Sequence, residues 1–253
     1  MRIRNAEYRR RIKKLVLLIW VLGGSNFAWA QGYPFQVGEK LIYEVKILGI
    51  KAGKQTIKID SKTKLGQEEV YCLTSETASS SFLSLFYKVY DRIQTYIGVN
   101  DLLPRYIKAD IHEGGKIRHT KTQIDQGDLT AVVREENKPE KKLEIAPNTI
   151  DVTSLIYYLR TKEFEVGDTF DLGIINTGSG VKFLNTRVEI VERKTIEVPL
   201  GEFTALLARE DKDGGIGIWF SDDRLRLPLR IDATTPVGVL SALLEKTDGI
   251  KRW

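Results

Sequence analysis

With one cysteine and two histidines in 253 residues, this chain is poor in the side chains that most often carry catalysis, metal binding or covalent crosslinks. Cys72 has no partner for an intramolecular disulfide, so the fold must hold by packing alone. It lies in Val70-Tyr71-Cys72-Leu73, the setting of a small buried strand residue rather than a reactive thiol. No serine stands in a Gly-x-Ser-x-Gly context, so nucleophilic hydrolysis finds no support. Asn176-Thr177-Gly178-Ser179-Gly180 lacks the following Lys-Ser/Thr of a phosphate-cradling loop and reads as a hairpin loop. No apolar run reaches the roughly 20 residues that span a bilayer. The best, 15–22, is broken by Gly23, Gly24, Ser25 and Asn26.

That run belongs to a different pattern. Arg2, Arg4, Arg9, Arg10, Arg11, Lys13 and Lys14 precede it, and Ala28-Trp29-Ala30 follows it. A basic segment, an apolar segment and a small-x-small triplet are the parts of a cleavable secretory signal peptide, with cleavage expected before Gln31. The alternative is an uncleaved N-terminal anchor. No cysteine stands at the cleavage point to receive lipid. The expected location is periplasmic or secreted, with no integral membrane segment after cleavage. The whole chain carries a formal charge of +5, but removing 1–30 leaves 32 basic and 33 acidic residues. Nucleic-acid binding needs a concentrated basic surface, and here the excess sits in the leader, so nucleic acid is excluded as a main partner. The 223 residues that remain suffice for a self-supporting core.

From 40 onward, period-two alternation and β-branched or aromatic runs recur between Gly, Asp and Asn, as in successive antiparallel strands. Fourteen strands are expected, among them 40–48, 54–61, 69–76, 88–98, 105–112, 116–124 and 130–135, then 142–145, 169–175, 185–194, 204–210, 216–221, 228–233 and 238–246. Gly114-Gly115 suggests a two-residue hairpin turn that needs positive φ. The runs 125–128, 136–141 and 211–215 read as further turns. One stretch breaks the pattern: Asp151 is a good N-cap, and Val152, Leu155, Ile156 and Leu159 follow at helical spacing. A short helix near 152–160 is therefore expected, with one apolar turn at 81–86 as a weaker second. The expected fold is all-β and mainly antiparallel, a curved sheet or partial β-barrel, in one domain over 31–253 with two lobes meeting near 147–165. Phe35-Gln36-Val37-Gly38-Glu39 and Phe164-Glu165-Val166-Gly167-Asp168 echo each other ahead of two strand sets. They favour two β-meanders of similar layout.

Three constellations are candidates for chemistry. Across a Gly114-Gly115 hairpin, Asp110 faces His119 and His112 faces Ile117, so Asp110, His112 and His119 share one surface. This is a weak candidate metal or acid-base site; a cross-strand Asp-His pair is the simpler account. Asp222-Asp223 sits where a turn is expected, with Arg224 and Arg226 completing a solvated turn. The aromatics Phe82, Phe86, Tyr90, Tyr157, Tyr158 and Trp219 are the candidate ligand-binding residues, because a curved sheet facing a helix either fills its concave side with such groups or leaves an apolar pocket.

The order of Val37-Gly38-Glu39-Lys40-Leu41-Ile42-Tyr43, Gly53, Tyr90-Asp91, Asp151, Leu159-Arg160, Pro199-Leu200-Gly201-Glu202-Phe203, Trp219-Phe220-Ser221-Asp222-Asp223 and Leu227-Pro228 resembles a family of exported bacterial proteins. That family is domain of unknown function 3108, and the likeness covers about 35–244. The resemblance implies an envelope location and mostly antiparallel structure. It brings no activity, cofactor or catalytic residue. The closing run from Trp219 is also similar to periplasmic lipoprotein-sorting and carrier proteins, whose curved sheet cups an acyl chain; fold alone does not establish function. The leading expectation is a non-enzymatic protein that binds a hydrophobic small molecule or lipid-like envelope component, without cofactor. A module that docks on an envelope protein partner is the alternative. An enzyme acting through carboxylates such as Asp91, Asp222 and Asp223 is the third.

Overall fold

The computed structural model describes residues 32–177, 181–211, 215–235 and 238–250. The expected leader and the glycine-rich loop at 178–180 lie outside the described residues. The strands are β1 (Lys40–Ile47), β2 (Ile50–Leu65), β3 (Glu68–Ser79), β4 (Val89–Gly98), β5 (Pro104–Glu113), β6 (Lys116–Asp125), β7 (Thr130–Glu135) and β8 (Lys141–Glu144). They continue with β9 (Thr149–Ile150), β10 (Thr169–Asn176), β11 (Lys182–Val198), β12 (Gly201–Glu210), β13 (Ile216–Ser221), β14 (Pro228–Thr235) and β15 (Gly238–Asp248). Two helices join them, α1 (Ser81–Ser84) and α2 (Val152–Arg160).

All fifteen strands form one sheet in the order β8-β7-β6-β5-β4-β3-β2-β1-β15-β14-β13-β12-β11-β10-β9. Every pairing is antiparallel except β9 with β10. The sheet is therefore two meanders joined where the first strand, β1, pairs with the last, β15. It does not close into a barrel, since β8 and β9 remain edges. Side chains bridge the gap instead: Ile107, Ile124, Ala131 and Val133 of the first meander pack with Ile145, Ile175 and Val181.

Strand alternation sets which side is buried. In β1, Leu41, Tyr43 and Val45 point into the core. The Gly114-Gly115 turn has φ of 55° and 85°. It gives the expected register, with Glu113 opposite Lys116, His112 opposite Ile117 and Asp110 opposite His119. Strand lengths differ from the sequence pattern. β2 and β11 extend well beyond 54–61 and 185–194, because their ends pair with neighbouring backbones without needing buried side chains; 61–65 are partly or fully exposed. β9 has only two residues and carries no alternation to detect. It lies against Gly173, where any Cβ would strike the Thr149 hydroxyl.

α2 is capped as its sequence indicates. Both Asp151 carboxylate oxygens accept backbone N–H groups of the first turn, and Ser154 Oγ returns a bond from the Asp151 N–H at 3.0 Å. A helix exposed on one side would keep a polar face. Here Thr153, Ser154, Leu155, Ile156, Tyr157, Leu159 and Arg160 are all buried, and α2 touches β3 and β4 of one meander and β10 of the other. The sheet thus curls around it. Burial of Leu155, Ile156 and Leu159 contributes about 2 kcal/mol each.

The echo at 35–39 and 164–168 is a repeated structure. Gly38 and Gly167 both have positive φ, 91° and 101°. Gly38 N donates to Ile59 O and Gly167 N to Ile190 O; Ile59 N returns to Glu39 O and Ile190 N to Asp168 O, at 2.8–3.0 Å. A register shift follows each, at Ile59/Ser61 and Ile190/Glu192. Further on, Gly98 N donates to Leu103 O ahead of Pro104, and Ser221 N to Leu227 O ahead of Pro228. β1–β5 and β10–β14 are two copies of one layout.

Candidate functional site

The connections between strands fall at two ends of the sheet. The C-terminus of α2 points to one end, with the turns at 38–39, 66–67, 99–103 and 222–227. α1 lies at the other, with the turns at 48–49 and 114–115 and the paired ends of β14 and β15.

The α2 end is locked by a buried ion pair. Gly38 turns the chain so that Glu39 enters the interior, where the Arg160 guanidinium meets both its carboxylate oxygens; neither side chain is exposed. Arg160 also donates to Pro34 O at 3.1 Å and Leu225 O at 3.2 Å. Phe35 and Tyr157 lie at 5.5 and 5.4 Å from the guanidinium carbon. Tyr43 donates to Pro228 O at 2.9 Å. Burial opposes the Arg160 charge, but Glu39 outweighs it and raises the Arg160 pKa. Burial pushes the Tyr43 and Tyr157 hydroxyls well up, so both are neutral. The copy of Phe35 in the second repeat, Phe164, carries Arg226 over its ring at 4.5 Å. Asp222 binds Arg226 at 2.9 Å and Arg193 at 2.6 Å, and these arginines overcome partial burial to lower its pKa. Asp223 accepts the Ser221 hydroxyl and the Leu225 and Arg226 N–H groups. The turn read as solvated is thus a clamp of ion pairs and backbone bonds.

The α1 end is different in kind. α1 is a single turn capped by Ser80 and buries none of its residues. Phe82, Leu85 and Phe86 are 71%, 79% and 77% exposed, and Phe82 and Phe86 meet edge to face at 5.7 Å. Tyr87 folds back over Gly114. Leu48, Ile50, Ile117 and Val239 continue the apolar surface across the neighbouring hairpins. Of the thirteen large hydrophobics exposed among the described residues, nine lie at this end, Tyr90 included, which is not the scatter expected of incidental exposure.

The six aromatics singled out from sequence are not brought together. Phe82 and Phe86 are on the α1 rim. Tyr157 is buried at the α2 end, and Tyr158, partly buried, has Lys162 over its ring at 4.3 Å. Trp219 is buried under Lys194 at 4.6 Å. Tyr90 packs on His112 at 6.2 Å, on the sheet face opposite the core. There Asp110 and His119 form a 2.8 Å pair, and the His112 and His119 rings meet at 5.8 Å. Among the described residues no three His, Cys, Asp or Glu groups stand close enough to hold a metal ion.

The three carboxylates considered for catalysis are also apart. Asp91 is on β4 toward the α1 end, whereas Asp222 and Asp223 occupy the α2 end. Asp91 accepts the His112 N–H at 3.0 Å, yet burial, with Glu113 adding, pushes its pKa up to about 6. Burial likewise raises the Cys72 thiol. A separate open cleft of about 520 Å³ lies between 146–148 and the Asp171–Arg187 pair. Its lining is mixed, and the Asp171 carboxylate beside Arg187 raises the Arg187 pKa.

Sequence reasoning missed Glu39 and Arg160 as a pair, since 121 positions separate them. It also missed Leu48, Ile50 and Ile117 of the rim. The run Phe82-Leu83-Ser84-Leu85-Phe86-Tyr87, too short for a core helix, was the available signal.

Comparison with known proteins settles the family. The model of the family described as protein of unknown function (DUF3108) matches residues 42–245. The chain belongs to this family. Within it, the Glu39, Tyr43, Arg160 and Pro228 landmarks that carried the sequence resemblance converge on the α2-end lock. No curated protein matches. This DUF3108 chain is similar in fold to a β-barrel-like protein of domain of unknown function DUF1849 from Brucella abortus. The TM-score is 0.54 at 10% identity, covering 85% of this chain and 98% of that one. A protein with a YmcC-like fold from Bacteroides fragilis matches at a TM-score of 0.37 and 9% identity, over 86% of this chain and 98% of that one. No helix among the described residues is long and apolar enough to cross a membrane.

Proposed function

We propose that this protein is exported, loses its leader after Ala30, and acts without catalysis by holding a lipid-like apolar ligand or envelope component at the α1 end of its curled sheet. The observation that carries this reading is the uncovered Phe82–Phe86 pair on a helix that buries nothing. Exposing these rings to water is unfavourable by about 1.5–3 kcal/mol each relative to covering them, and at the α2 end the phenyl rings of Phe35 and Phe164 are buried. The separation of Asp91 from Asp222 and Asp223 supports a binding role over carboxylate catalysis, since hydrolysis of a glycosidic bond uses two carboxylates within about 10 Å.

The test is extraction of protein purified without detergent, followed by mass spectrometry of what it carries. Stoichiometric lipid-like material is expected, falling about tenfold in the Phe82→Ser/Phe86→Ser double variant. Protein that carries none, and acquires none from envelope lipid extract, sinks the reading. N-terminal sequencing of the recovered protein should begin at Gln31.

A further inference from the structure

The α1 end also has a charge, and this is independent of what the sheet holds. Four hairpin connections lie side by side there, because β14, β15, β1, β2, β3, β4, β5 and β6 are consecutive in the sheet. Residues 46–51, 80–88 and 113–118, which make or flank three of these connections, contain Lys46, Lys51, Lys88, Lys116 and Arg118 against Glu113 alone, and the paired ends of β14 and β15, Thr235 and 238–240, carry no charge. At the α2 end, residues 65–68, 99–103, 125–129, 165–168 and 222–227 contain eight Asp or Glu and two Arg. The four α1-end connections are thus basic where these α2-end turns are acidic, while Glu44 pairs with Lys46 and Lys51 and the β7–β8 connection at the α1 end adds Glu136 and Glu140 against Lys138. Lys88 and Lys116 are exposed and make no ion pair among the described residues. Lys88 follows Tyr87, two positions after Phe86, and Lys116 directly precedes Ile117.

Exposed aromatic and aliphatic side chains ringed by lysines fit one environment, the headgroup boundary of an anionic bilayer. There the apolar groups leave water while the ammonium groups stay among phosphates. Each lysine near such a surface is worth about a fivefold change in binding. A protein partner would also cover the apolar groups, but nothing in the structure calls for one with an acidic rim. We propose that the α1 end is a peripheral membrane-docking surface, with Phe82, Leu85, Phe86, Leu48, Ile50 and Ile117 entering the headgroup region and Lys51, Lys88 and Lys116 contacting anionic phospholipid. The acidic α2 end then faces away from the bilayer.

The experiment uses the full chain with Cys72→Ser, labelled with an environment-sensitive fluorophore at Leu85→Cys or, at the other end, Leu65→Cys. Because the label reports only its own surroundings, the N-terminal segment does not confuse the result. Vesicles with 30% phosphatidylglycerol in phosphatidylcholine should brighten the label at 85 several-fold and leave that at 65 unchanged. Lys51→Gln/Lys88→Gln/Lys116→Gln should weaken vesicle affinity about a hundredfold, and 0.5 M salt should do the same. All three lysines are exposed, and an unchanged far-UV circular dichroism spectrum shows that the variants fold. No response at 85, an equal response at 65, an equal response to pure phosphatidylcholine, or full affinity in the lysine variant each overturns the proposal. Failure to find a carried lipid in the extraction above leaves this result unaffected, so the two readings fail separately.

Discussion

At the residue scale, the Glu39–Arg160 pair is where the molecule is most sensitive. Removing one partner leaves a charge in the core, at a cost of about 3–5 kcal/mol. Glu39→Ala should therefore lower the unfolding free energy by that amount in urea titration, or prevent folding. Glu39→Leu with Arg160→Met should recover part of it but not all, because the Pro34 and Leu225 carbonyls lose their donor. Asp91 gives a second prediction, of opposite character. Its carboxyl titrates near 3.8 when unfolded and about 6 when folded. Between those values the folded protein holds a proton that the unfolded chain has lost, so its contribution to stability is full below pH 4 and is lost as pH rises through 6. Asp91→Asn keeps an acceptor for the His112 N–H and should stabilise the protein at pH 7.5 by about 1 kcal/mol, after allowance for solvent screening of a half-buried group. At pH 4 it should do nothing. Urea melts at the two pH values check both signs. None of this was legible in the sequence: Glu39 looked like a turn residue, and only the curl of the sheet brings Arg160 to it.

At the scale of elements, local chemistry was the more readable. The Asp151 cap, the spacing of Leu155, Ile156 and Leu159, and the Gly114-Gly115 hairpin each follow from nearby residues, and their geometry was legible for that reason. Asp151→Ala should cost about 1–2 kcal/mol, since it removes the cap and also leaves the buried Thr95 hydroxyl without its acceptor. The ends of β2 and β11 were illegible because backbone pairing lengthened them without patterned side chains. α1 is the reverse case: an apolar turn was expected at 81–86, but its rings face outward. Phe82→Ser/Phe86→Ser should accordingly change unfolding free energy by less than about 0.5 kcal/mol, a result a core position could not give.

At the scale of the whole molecule, the five-residue echo proved to be the visible part of a duplication of layout extending over five strands on each side. The echo survives in sequence only where backbone geometry restricts the residue, at a glycine with positive φ and a buried ring before it. Elsewhere the two copies diverge, since any alternating run serves a strand. The two turns should therefore respond alike: Gly38→Ala and Gly167→Ala each place a Cβ in left-handed backbone and should each lower stability by about 1–2 kcal/mol. The curved sheet and its class were legible from alternation. The polarity of its two ends was not, because it depends on which turns become neighbours.

The pairing of β1 with β15 also has a kinetic side. A chain made from its N-terminus completes the first meander while the strand that must cover β1 is still about 200 residues away, and such distant closures are slow. Until then β1 and the inner rows of Leu41, Tyr43 and Val45 form an unpaired edge that any extended segment can join. A chain stopped at 237 has every other strand yet should aggregate. The final eleven-residue strand is the seam, and until it is sewn β1 and β14 are two raw borders added to those of β8 and β9.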